Sequence, residues 1–158
     1  MRIRQLVLVS EKRDLIVKKL CELFKLEVAF YDPGIIHFGL ENAVLPVGNT
    51  FLEVVSPVKE NTTAGRYLER KKGDCGYMVI IQTKNLSDDK TRVKSNGMQI
   101  VWEADRAEEG IHAQAIHLHP KDFGAILSLD SMDPPSHWLW AGLNWQEKIN
   151  NGKRNIKR

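Results

Sequence analysis

The chain has 158 residues, 42% of them hydrophobic, enough to bury a core and suited to one domain or two small, intimately packed halves. Its formal charge is +3, but Lys153, Arg154, Lys157 and Arg158 supply four positive charges, so residues 1–152 sum to −1. That near-neutral body excludes a nucleic-acid-binding surface, and the basic tail, with no aromatic partner for bases, reads as a frayed end.

In chain order, residues 2–9 predict a first strand with Gln5, Val7 and Val9 on one face and Leu6 and Leu8 on the other. The apolar run in MRIRQLVLVS is too short for a signal peptide or a membrane span, so no membrane association is expected. Ser10 is placed to cap a helix whose Ile16, Leu20, Leu23 and Phe24 fall at helical spacing. Short strands are expected at 28–31, 35–40 and 43–47, with turns at Asp32, Pro33 and Gly34 and at Gly48 and Asn49. Residues 50–57, TFLEVVSP, form the next strand. Residues 58–75 are a connector holding a short helix capped by Thr62 or Thr63. The order then restarts: a strand at 76–83, a helix opened by Ser87, Asp88 and Asp89 and stopped by Gly97, and strands at 98–103, 111–118 and 125–130. Residues 131–158 are an extension rich in Trp and Pro, ending in the basic tail.

One residue in TFLEVVSP is out of character. Glu53 shares a strand face with Phe51 and Val55, so a carboxylate lies among apolar neighbours. Burying it bare is costly, so it must be paired, hydrogen-bonded, metal-bound or protonated. Gln5 is likewise polar in an apolar strand. Cys21 and Cys75 are the only cysteines and have no metal-type spacing, which points to a reducing cytoplasm. His117 and His119 lie two apart, but Pro120 follows, and they read as turn and hydrogen-bonding residues; His37 and His112 have no acidic or histidine companion at useful spacing. Asp130 is read as a solvated strand-end acid. A phosphate-binding glycine loop and a GxSxG elbow are absent from the sequence, which sets aside nucleotide hydrolysis and serine-type acyl transfer.

The Glu-bearing FLEVVSPV late in the first half and IHLHPKDFGAILSLD late in the second together resemble the vicinal oxygen chelate superfamily, which contains glyoxalase I, methylmalonyl-CoA epimerase, extradiol dioxygenases and bleomycin-resistance proteins. The HLHPKD turn is most similar to the epimerase branch. The resemblance implies an α+β fold of two βαβββ modules, residues 1–57 and 76–130, packed into one glyoxalase-like domain as a curved mixed sheet around a central cavity. It places metal ligands on the first and last strands of each module. Gln5 and Glu53 match the first pair; Met78 stands where a His is usual and Ser128 where a Glu is usual. A thioether and a neutral hydroxyl are poor ligands for a hard cation, so no cofactor, or only a weakly bound divalent ion on Gln5 and Glu53, is expected.

The reading is therefore a cytoplasmic glyoxalase-like protein, with Gln5, Glu53, Met78 and Ser128 facing a small carbonyl or acyl ligand, a thioester among the candidates. As an enzyme it would be a lyase, isomerase or epimerase, with Glu53 withdrawing a proton next to a carbonyl. The alternative is a non-catalytic binding or sequestering protein of the bleomycin-resistance type. A homodimer is expected, because the segment around Trp138 to Trp145 offers apolar area beyond what one small domain needs.

Overall fold

Seven strands, four α-helices and two 3-10 turns make up the computed structural model of the protein, which describes residues 1–154, with side chains through residue 149. The basic tail side chains thus lie outside the described residues. The strands are β1 (Arg2–Val9), β2 (Leu40–Val47), β3 (Thr50–Pro57), β4 (Cys75–Gln82), β5 (Ile100–Glu108), β6 (Ile111–Leu118) and β7 (Ile126–Asp133). The helices are α1 (Arg13–Phe24), α2 (Thr63–Lys71), α3 (Leu86–Ser95) and α4 (Trp145–Arg154). The class is α+β, and the hydrogen-bonded strand order is β2-β3-β1-β4-β7-β6-β5. The second half, β4-α3-β5-β6-β7, is a complete βαβββ series.

The chain divides into two compact units. One is Met1–Leu6 with Met78–Leu139; the other is Val7–Tyr77 with Trp140–Arg158. In the first unit β4 runs parallel to β7, with Ile80 opposite Ser128, while β6 lies antiparallel to β7 and to β5. Leu86 and Val93 of α3 pack on Ile116, Leu118 and Leu129, which fixes one sheet face as the core face. Strand alternation then puts His117, Ser128 and Asp130 on the opposite face. In the second unit β2 and β3 form an antiparallel hairpin, and Val17 of α1 packs with Ala43, Leu45 and Val54. Glu53, Phe51 and Val55 consequently face away from α1, together with Asn42 and Val44.

Three local expectations need correction. The strand foreseen at 28–31 is a single bridge, Phe30 to Val44. The strand foreseen at 35–40 is a 3-10 helix, Pro33–Phe38: the Asp32 carboxylate accepts from the Gly34 N–H at 2.8 Å, Pro33 needs no N–H partner in the first turn, and Gly39 closes it with φ of 68°. Cap chemistry here outweighs the β-branched letters of Ile35 and Ile36. Ser10 does not N-cap α1. Lys12 holds that position, and the Ser10 hydroxyl instead accepts from the Lys12 N–H and donates to Asp74. By contrast Thr62 caps α2, accepting from the Gly65 N–H at 2.9 Å.

Candidate functional site

Within the second unit, Glu53 is 7% exposed and lies directly opposite Val44. Its Oε1 accepts from the side-chain amide of Asn42, diagonal to it across the hairpin, at 2.6 Å. Asn42 is itself buried, and its Oδ1 accepts from the Asp32 N–H at 2.8 Å. The amide is thereby oriented with its N–H toward the carboxylate. On the same face of β3, Phe51 meets Trp145 of α4 edge to face, with ring centroids 4.9 Å apart.

The other three positions belong to the first unit. Gln5 is 2% exposed, and its Oε1 accepts from the indole Nε1–H of Trp138 at 2.8 Å. Its neighbour Arg4 is fully buried, with its guanidinium carbon 5.2 Å from the Trp138 ring centroid; burial brings the Arg4 pKa down to about 10. Met78 is half-buried on β4, two residues before Ile80. Ser128 is fully buried, and its hydroxyl reaches the Asp130 carboxylate and the Ile116 carbonyl. Asp130 is no solvated strand-end acid: β7 continues past it to Asp133, and it is 2% exposed.

His117 sits directly opposite Ser128 on β6 and opposite Trp102 on β5, so it belongs to the face that carries Ser128 rather than to the turn. Its ring lies 4.3 Å from that of Trp102, and desolvation lowers its pKa to about 4, so it is neutral at physiological pH. His119 does serve the turn, its Nδ1 accepting from the Lys121 N–H at 3.1 Å. His112 has an acidic companion after all. Its Nε2 lies 2.7 Å from Asp105 across β5 and β6, a pairing that seven residues of separation conceal until the strands are registered.

The three positions of the first unit do not fit a divalent metal. The Gln5 carbonyl oxygen is engaged by an indole, Ser128 donates to a carboxylate, and Met78 offers only a soft thioether. Among the described residues no three His, Cys, Asp or Glu side chains are grouped so as to hold an ion. No helix among them is long and apolar enough to cross a membrane.

Asn42, Arg4, Asp130 and Trp138 were not singled out from the sequence as site residues. Asn42 carried a faint signal as the polar residue at alternate spacing in β2; the role of Trp138 depends on a contact 133 positions away and leaves no local trace. In the aromatic extension, Trp138, Leu139 and Trp145 are 1%, 3% and 3% exposed.

No protein-family model matches the chain. Over 90 residues it is 28% identical to the mitochondrial methylmalonyl-CoA epimerase of Mus musculus, a match taking in 56% of this chain and 49% of the mouse protein. The match thus spans about half the length of that relative. Among solved structures, a hypothetical protein of Bacillus halodurans C-125 superposes with a TM-score of 0.70 at 20% identity, over 82% of this chain and 93% of the other. A methylmalonyl-CoA epimerase in complex with methylmalonyl-CoA and ammonium gives 0.70 at 22% identity, over 82% and 93%. The methylmalonyl-CoA epimerase of Mycobacterium tuberculosis gives 0.69 at 17% identity, over 82% and 87%.

Proposed function

Because this chain has the fold of the vicinal oxygen chelate superfamily, shared with methylmalonyl-CoA epimerases, we propose that it binds a small acyl compound, in the first instance an acyl-CoA thioester, and exchanges the proton next to its carbonyl. The observation that supports this is Glu53, a carboxylate buried on an apolar strand face and oriented by the Asn42 amide. In the reaction the Glu53 carboxylate takes the α-proton, the C–H electron pair becomes a C=C bond as the carbonyl π pair moves onto oxygen, and the enolate regains a proton at carbon from the Glu53 carboxylic acid after its exchange with solvent. Asn42 holds the carboxylate in one orientation. No step is routed through a metal.

A second reading is a binding protein without chemistry. It is favoured by the Gln5 to Trp138 bond, which occupies the amide oxygen that a catalytic site would direct elsewhere. One experiment separates the two: propionyl-CoA incubated in deuterium oxide and followed by mass spectrometry. Deuterium uptake that falls by about 100-fold or more in Glu53→Gln supports catalysis. Calorimetric binding of propionyl-CoA with no uptake supports the binding protein, and neither binding nor uptake overturns the acyl-CoA reading altogether.

A further inference from the structure

Trp138 is the residue of the first unit that the proposed chemistry leaves unexplained. It follows β7 by five positions, in a stretch whose Pro134, Pro135 and Ser136 are exposed and whose His137 is half-buried, yet Trp138 itself is 1% exposed. Besides the Arg4 guanidinium over the Trp138 ring, two hydrogen bonds tie this stretch to the strands beneath. At one, the indole N–H donates to Gln5 Oε1 on β1 at 2.8 Å. At the other, Gln82 Nε2 on β4 donates to the Pro135 carbonyl at 2.8 Å, and the Gln82 amide is oriented by Arg2 Nε, which donates to its Oε1 at 2.9 Å. A turn with the His137 N–H on the Pro134 carbonyl at 3.1 Å joins the two.

The arrangement has the form of a latch. A short, largely solvated segment is attached at a catch, Gln82 with Pro135, and ends in a large ring seated on Gln5, the side chain that the family resemblance implies faces a ligand. We propose that residues 134–138 are a strap that closes the Gln5 position from within the same unit, and that Trp138 leaves Gln5 by local release of the catch rather than by unfolding of the unit. Release exposes the Trp138 ring, 1% exposed in the closed form, but the prolines and serine of the strap are already exposed, so opening costs less than unfolding the whole unit. The strap determines which ligands reach Gln5 whatever their chemistry, so the inference does not depend on an acyl-CoA being the occupant.

Hydrogen exchange of the Trp138 indole N–H in the full chain, followed by nuclear magnetic resonance and assigned through Trp138→Phe, tests it. A strap predicts indole exchange faster than that of the slowest amides of β6. Gln82→Ala, which removes the catch, is expected to accelerate the indole about 10-fold while the β6 amides keep their rates, a change equivalent to about 1.4 kcal/mol. Arg2→Ala removes only the group that orients Gln82 and lies at an exposed position, so it keeps the fold and is expected to give about a 3-fold acceleration. If the Gln82 variant does not fold, Arg2→Ala decides. An indole that exchanges at the rate of the β6 core in every protein, or that responds to neither substitution, overturns the proposal.

Discussion

Replacing Asn42 by Asp changes one atom type in a hydrogen bond to Glu53 and turns an attraction into a repulsion. The Asn42 amide nitrogen lies 2.6 Å from Glu53 Oε1, and both residues are buried. Two carboxylates at that distance repel by about 6 kcal/mol at an effective dielectric constant of about 20, more than a domain stable by about 5–15 kcal/mol tolerates without relief. The folded protein relieves it by retaining one proton on the pair, as like-charged carboxylates sharing a site do. In the unfolded chain the same groups lose their protons near pH 4. Between that pH and the raised folded value the native state binds more protons than the unfolded state, so stability falls as pH rises, by about 1.4 kcal/mol per unit. Urea unfolding of Asn42→Asp is therefore expected to show a penalty below about 1 kcal/mol at pH 4.5 and about 4 kcal/mol at pH 7.5. The double change Asn42→Asp with Glu53→Gln restores an amide against a carboxylate with the roles exchanged, and should recover most of the loss at pH 7.5. An equal penalty at both pH values, or no recovery in the double variant, refutes the reading of this pair.

Three other outcomes are expected. The His117 imidazole has a folded pKa of about 4 against an ordinary value of 6.5, so the unfolded chain binds more protons in that window and the protein loses about 3 kcal/mol of stability as pH falls through it; in His117→Gln that part of the pH dependence disappears from urea titrations, and its persistence counts against the assignment. Gly142 has φ of 79° and an added Cβ would meet Phe30 Cδ2 at 2.7 Å, whereas Gly48 has φ of 61° with open space around it; thermal unfolding should show Gly142→Ala costing above about 2 kcal/mol and Gly48→Ala about 1 kcal/mol, and equal costs would show that the Phe30 contact yields freely. Plasma mass spectrometry after exhaustive dialysis is expected to find no stoichiometric divalent ion, and one tightly held equivalent would show the donor set to be misjudged.

Much of this was legible because strands announce themselves by alternation. The buried Gln5, Val7 and Val9 face of β1, the burial of Glu53 and the complete second βαβββ series all follow from period-two spacing and turn residues. What was not legible has two causes, a local cap and distant partners. The 3-10 helix over Ile35 and Ile36 was decided by the Asp32 cap and not by side-chain propensity. Asn42 matters to Glu53 only through the register that sets it opposite Val55. Nothing in the local sequence marks Arg4 for burial; the ring of Trp138, supplied from far along the chain, belongs to the neighbourhood in which it is buried. Partners across long separations are what a single sequence conceals.

The division of β1 between the two units carries a consequence for synthesis. Its first residues belong with Met78–Leu139, while Val7 onward belongs with the chain up to Tyr77. A nascent chain that has exposed residue 6 therefore waits for residues beyond 78, on the order of 4–15 s at about 5–20 residues per second, before the unit to which its first residues belong is complete. The half-strand that waits carries Arg2 and Arg4, charged groups of the kind that discourage edge-to-edge pairing with another chain. A ribosome pausing within residues 58–75 would lengthen that wait without touching any residue of the candidate site.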